Sequence, residues 1–248
     1  MPKFEVKIGP YRFAPRLIPT LAMLVLLPLL LSLGFWQLDR AQQKRLLLQK
    51  FQMRQHLPPF LSLAEINAKA DIRYYPIRLQ GIFDNSHSLL LDNQFYQHQP
   101  GYYVITPFLP LHQTKAILVN RGWIPQQGLR TLLPKIPVAI GIQEIQGLIQ
   151  IPTAKPFTLG PIADSTGWPW RIETLQLAPI QRRLGYEIAP FVVLLNPSAT
   201  VSFKREWLPV NTAMPPQRHV AYAVQWFALA LTLLIIYLVV NTKRREIP

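Results

Sequence analysis

Two stretches without a single charged residue, Leu17–Trp36 and Ala221–Val240, constrain this chain more than anything else in it. Each is twenty residues long, and 15 of the first and 18 of the second are apolar. At 1.5 Å of rise per residue such a helix reaches about 30 Å, the thickness of a bilayer's hydrocarbon core. Lipid offers no partners for backbone N–H and C=O groups, so a helix is what these runs must form there. Without the two windows the remainder is about 44% apolar, the figure of an ordinary soluble domain. The pattern predicts a membrane-anchored α+β protein, in which two transmembrane helices form a hairpin anchor around one extramembrane domain.

The expected segments are a tail at 1–16, a first span at 17–36, a helical stalk at 37–56, a domain at 57–218, a second span at 219–240 and a tail at 241–248. A cleaved signal peptide is the rival for the first span. Its apolar run exceeds the 7–15 residues of a signal core, and bulky Phe35 and Trp36 follow directly, so an uncleaved anchor is expected. Pro19 falls in the first turn, where its missing N–H costs little, and Pro28 sits mid-span, where it removes one hydrogen bond. Two spans put both termini on one side. Basic residues flank both sides about equally, seven on the tails and eight on the inner flanks, but long domains translocate largely regardless of charge. The basic N-terminal cluster then stays in the cytoplasm, and a bacterial inner membrane with the domain in the periplasm is the expectation. The short pre-span tail is not Ser-rich and does not read as a mitochondrial transit peptide.

Between the spans, the stalk carries Arg40, Lys44, Arg45, Lys50 and Arg54, cations suited to anionic lipid headgroups, and the Pro58-Pro59 pair must end it. Beyond it, short β-rich runs alternate with turn residues. Strands are predicted at Tyr74–Phe83, Ser88–Asp92, Tyr102–Pro107, Ala116–Asn120, Gln143–Ile151 and Phe191–Leu195, with one helix at about Glu173–Leu184. Ile77 and Leu79 alternate with Arg78 and Gln80, as a half-buried antiparallel strand requires. The domain should be mostly antiparallel β, a single sheet or a partly open barrel.

Composition narrows the function. The chain has no cysteine, which excludes disulfides, thiolate metal sites and a Cys nucleophile; with four scattered methionines, copper carriage is disfavoured too. The net charge of +14 is accounted for by membrane headgroups rather than nucleic acid. No nucleophile elbow, zinc-protease helix, P-loop or dinucleotide fingerprint is present, so no enzyme is expected.

Three segments stand out. Gly34-Phe35-Trp36-Gln37-Leu38-Asp39-Arg40, with Lys44, marks where the first span leaves the membrane; an interfacial belt accounts for its Trp and cations. Val119-Asn120-Arg121-Gly122-Trp123-Ile124-Pro125 is a strand running into a polar turn. Gly122 can supply positive φ there, Trp123 can plug the sheet's end, and Arg121 is either solvated or paired with a carboxylate or phosphate. His219-Val220-Ala221-Tyr222-Ala223-Val224-Gln225-Trp226 opens the second span. On a helix His219, Tyr222, Ala223 and Trp226 share one face, which suits either an imidazole ligand to haem iron with aromatic walls or a plain interfacial belt. The remaining histidines, His56, His87, His98 and His112, have no metal-ligand spacing.

In this order and spacing the three segments resemble the Surfeit locus protein 1 family of cytochrome c oxidase assembly factors. The carrying motifs are G-x-W-Q-x-x-R at Gly34 to Arg40, N-R-G-W at Asn120 to Trp123 and H-x-x-Y-A at His219 to Ala223. Gly81-Ile82-Phe83, Gly101-Tyr102 and Thr106-Pro107 add to the likeness, which runs from about Ile18 onward. The resemblance implies help in building a haem-copper oxidase through its subunit I, with the haem a synthesis machinery as a further partner. It also implies haem a as cofactor, with His219 as its iron ligand; Tyr222 and Trp226 on the same helix face, Arg218 beside it for a propionate, and Arg121 by its pairing chemistry, are then the accompanying cofactor-binding candidates. A haem-free membrane scaffold for an oxidase subunit is the alternative. One departure is that Gln217 and Arg218 stand where the family often has asparagines.

Overall fold

The Pro58-Pro59 pair does end the first helix: in a computed structural model of the chain, α1 spans Leu17–Arg54. The structure describes residues 6–8, 10–67, 71–128, 132–152, 167–197, 203–207 and 214–244. α1 stays one continuous helix through Pro28, and its 38 residues measure about 57 Å. The elements divide into an anchor unit, 1–49 with 208–248, and a β unit, 50–207.

In the anchor unit α1 lies antiparallel to α4 (Pro216–Asn241). Both helices are long and apolar enough to cross a membrane. Outward positions such as Leu21, Leu24, Val25, Leu229, Leu231 and Ile235 are exposed, as lipid-facing side chains should be. The seam is built from Gly34 and Ala41 on α1 and from Ala223 and Ala230 on α4, small residues that let two helix backbones approach. A Cβ on Gly34 would lie 2.5 Å from Cε1 of Phe227, whose ring meets Phe35 edge-on at 5.3 Å. Polar contacts close the end formed by the two tails. Asn241 Oδ1 accepts from the Arg16 N–H at 2.8 Å, and the Thr20 and Tyr237 hydroxyls meet at 3.1 Å. Beyond them β1 (Val6–Ile8) and β10 (Thr242–Arg244) flank β2 (Tyr11–Phe13) in a small antiparallel sheet.

The β unit holds β3 (Pro76–Phe83), β4 (Leu89–Tyr96), β5 (Gln99–Pro110), β6 (Ala116–Pro125), β7 (Gln143–Gln150), β8 (Trp170–Ile172) and β9 (Ile188–Leu195). The helices α2 (Leu63–Asn67) and α3 (Leu177–Leu184) complete it. The strand order is β3-β7-β9-β6-β5-β4-β8, and an added β3–β5 pairing closes five of the strands into a barrel. β6–β9 and β4–β8 are parallel, and the other pairings antiparallel.

Ile77, Leu79 and Phe83 point into the interior with Phe108, Ile117, Val119, Ile145, Phe191 and Val193, as the alternation in β3 predicts. β6 is buried on both faces. Ile117 and Val119 enter the barrel core, while Ala116 and Leu118 pack with Ile180 and Leu184 of α3. α3 ends at Gly185, in the left-handed region at φ 78°, with its N–H on the Gln181 carbonyl. The six predicted strands and one helix are present with shifted ends; β1, β2, β8, β10 and α2, each of three or five residues, are additions.

Candidate functional site

The G-x-W-Q-x-x-R and H-x-x-Y-A segments come together in the helix pair. Gly34 permits the close crossing at Phe227. Trp36, half exposed, stacks under the Arg40 guanidinium at 5.6 Å, and Arg40 also donates to Gln43, which holds Asp39. One turn along from Gly34, Gln37 is buried and faces His219, itself 6% exposed. Lys44 donates to the Met214 carbonyl just ahead of α4.

The His219 contact defines the site. Nδ1 lies 2.7 Å from Gln37 Oε1. An amide oxygen can only accept, so Nδ1 carries the proton and Nε2 is left with its lone pair. Nε2 is fully buried and has no hydrogen-bond partner among the described residues. An unpaired buried acceptor of this kind costs about 1–3 kcal/mol, which calls for a ligand. A carbonyl or amide holding the far nitrogen is also how metal-bound imidazoles are oriented. Among the described residues no group of three His, Cys, Asp or Glu is placed to hold a metal ion. The imidazole of His219 fits a metal that brings its own donors, as iron in a porphyrin does. Reaching Nε2 requires a neighbouring side chain to move.

The other residues expected here are distributed differently. Tyr222 is 43% exposed and Trp226 partly buried, so the seam is lined by His219, Ala223 and Ala230 rather than by the aromatic face read from spacing. Arg218 is exposed in the first turn of α4. Arg54, assigned to lipid headgroups with the rest of the stalk, instead pairs with Asp71 at 2.9 Å and donates to the Arg73 carbonyl.

Arg121 belongs to the β unit. The β5–β6 register skips it, pairing Val104 with Gly122 and Ile105 with Asn120. The N-R-G-W segment is thus a β-bulge, and a bulge re-aims the extra side chain. Gly122 sits at φ 125°, its N–H held by Asn120 Oδ1 at 3.1 Å. Trp123 is buried, with Nε1 on the Gln94 carbonyl at 3.0 Å. Arg121 is 6% exposed, which overturns the solvated reading. Its guanidinium lies 5.2 Å from the Phe83 ring and 4.8 Å from Phe203, and Nη2 donates to the Pro137 carbonyl at 2.8 Å. Burial, then the nearby Arg205, lower its pKa to about 10, so it is charged at neutral pH.

Sequence reasoning missed Gln37 as a site residue, although it lies inside a quoted motif. The available signal was an uncharged polar residue where the first span meets the stalk's cations. It also missed Arg205, for which no local pattern exists.

Against known proteins, the SURF1 family model matches residues 24–231. The chain is 31% identical over 225 residues to a SURF1-like protein of Rickettsia bellii, covering 88% of each chain. It is 29% identical over 220 residues to the SURF1-like protein of Rickettsia conorii, covering 87% of this chain and 88% of that one. Surfeit locus protein 1 of Homo sapiens is 24% identical over 225 residues, 84% of this chain and 73% of the human protein.

Proposed function

The chain belongs to the SURF1 family, and from that premise we propose that it assists assembly of a haem-copper terminal oxidase, cytochrome c oxidase, by presenting haem a to subunit I at the membrane. In this reading His219 would hold the haem iron through Nε2, and Gln37 keeps that lone pair available. The observation that carries the proposal is the buried, unpartnered Nε2 whose opposite nitrogen is held by an amide oxygen.

The protein acts by binding rather than by catalysis. Haem a, when bound, would supply an iron centre able to take an imidazole nitrogen, and His219 would supply that nitrogen in one tautomer. Arg218, next to His219 in sequence, and Tyr222 and Trp226, one and two turns further along α4, would line the approach. The two helices sit in a bacterial inner membrane, with 57–218 in the periplasm and both tails in the cytoplasm. Arg40 and Arg45 face anionic headgroups. The haem a synthesis machinery is the upstream partner.

A haem-free scaffold for an oxidase subunit is the second reading. It is favoured by the covering of Nε2, which a purely structural histidine would share. Purification in detergent from cells that make haem a separates the two. The visible spectrum of haem a should accompany the native protein and be lost in His219→Ala. A native protein free of haem a would sink the first reading and leave the scaffold.

A further inference from the structure

Among the described residues the charge on Arg121 has no counter-ion. Neither it nor Arg205 is within salt-bridge distance of a carboxylate among the described residues. Arg205 spends Nε on the Arg121 carbonyl at 2.6 Å and Nη1 on the Asn196 carbonyl at 3.0 Å. This draws a second guanidinium beside the first. Arg121 Nη1 is fully buried with no hydrogen-bond partner among the described residues. Two like charges at low dielectric repel, and a buried unpaired cation is among the costliest groups a fold can carry.

Both arginines line one cavity of about 540 Å³. That volume falls within the roughly 300–1,000 Å³ of small-molecule sites and is roomier than a bare inorganic ion needs. Phe83, Leu195 and Pro197 give it apolar walls. Glu144, the one acidic residue lining it among the described residues, is turned to other partners: it accepts from Gln146 Nε2 at 2.9 Å and lies 3.8 Å from Arg78 Nε.

We infer that this cavity, between the bulged Arg121 and Arg205, binds a small organic oxyanion, a carboxylate or phosphate whose apolar body rests against Phe83, Leu195 and Pro197. With a shift of the lining side chains that uncovers Nη1, the anion completes the hydrogen bonding of Arg121 and cancels the repulsion between the two guanidinium groups. The N-R-G-W bulge then has a binding role as well as a structural one: without the extra residue, position 121 would follow the plain alternation of β6. The site stands independently of the haem reading.

The test is calorimetry of the full chain in detergent micelles with benzoate, phenyl phosphate or benzyl alcohol, each at equal ionic strength set with chloride. Benzoate or phenyl phosphate should raise the β-unit transition by about 3–5 °C at roughly ten times Kd, and the neutral alcohol should not. The more effective anion identifies the headgroup. The rise should disappear in Arg121→Gln and in Arg205→Gln, the latter half-buried and therefore the safer variant to fold. No rise over chloride, an equal rise with the alcohol, or an undiminished rise in Arg205→Gln would overturn the inference.

Discussion

Replacing Gln37 by leucine removes the acceptor for the His219 Nδ1–H while nearly conserving side-chain volume. Both imidazole nitrogens are then buried and unpaired, since Nε2 already lacks a partner. A buried donor left unsatisfied costs about 1–3 kcal/mol. An interhelical hydrogen bond at membrane depth averages only ~0.6 kcal/mol, because the separated helices find other partners. About 1–2 kcal/mol is therefore expected against the α1–α4 pairing. The effect on iron is argued separately: outer partners of ligating histidines are worth about 10–100-fold in metal affinity, or about 1.4–2.7 kcal/mol. The ranges overlap because both describe the loss of one hydrogen bond to one ring. Titration of ferric haem into nanodisc-embedded protein, followed by absorption, should show Gln37→Leu weakened by about 10–100-fold and His219→Ala devoid of the ligated spectrum. Gln37→Glu, a stronger acceptor, should bind at least as tightly as the native chain. Native-like affinity in Gln37→Leu would refute the assignment of Gln37 as the orienting group.

Three further outcomes follow from the packing. Gly34→Ala places a methyl 2.5 Å from the Phe227 ring and should destabilise the helix pair by about 1–3 kcal/mol through overpacking; denaturation in mixed micelles that matches the native chain would contradict this. Gly122→Ala combines φ 125° with a Cβ 2.8 Å from the Lys204 carbonyl, so about 1–3 kcal/mol of strain is expected, or roughly 2–4 °C in Tm per kcal/mol, read by calorimetry of the β-unit transition. Burial, then the bond to Asp84 at 2.8 Å, raises the Tyr186 pKa above 10. The folded state holds this proton more tightly than the unfolded chain, so its contribution is whole below pH 10 and is lost as pH rises beyond it. Urea unfolding from about pH 9 to about pH 12 should show that loss in the native chain and a smaller one in Tyr186→Phe.

Much of the architecture is legible because its signals are periodic. Alternation in β3 already places Ile77, Leu79 and Phe83 inside, and the proline pair stops α1. β8, β1, β2 and β10 are three residues each, too short for any period to register. β6 is apolar on both faces because the barrel core lies on one side and α3 on the other, a fact about covering that no strand pattern states. Within the candidate site, His219 was readable from its motif. Its pairing with Gln37 joins residues 182 apart, and Tyr222 turned outward because Ala223, Phe227 and Ala230 form the seam.

By itself the sequence determined the two long apolar helices, the β character of what lies between them and the family motifs, since these depend on hydrophobicity and order along the chain. The tertiary structure alone decided which ring nitrogen of His219 keeps its lone pair and that Arg121 is buried beside Arg205 with no counter-ion among the described residues. Both outcomes hang on hydrogen bonds and charges brought together across long stretches of chain, and a desolvated polar group exists only once other side chains have closed over it.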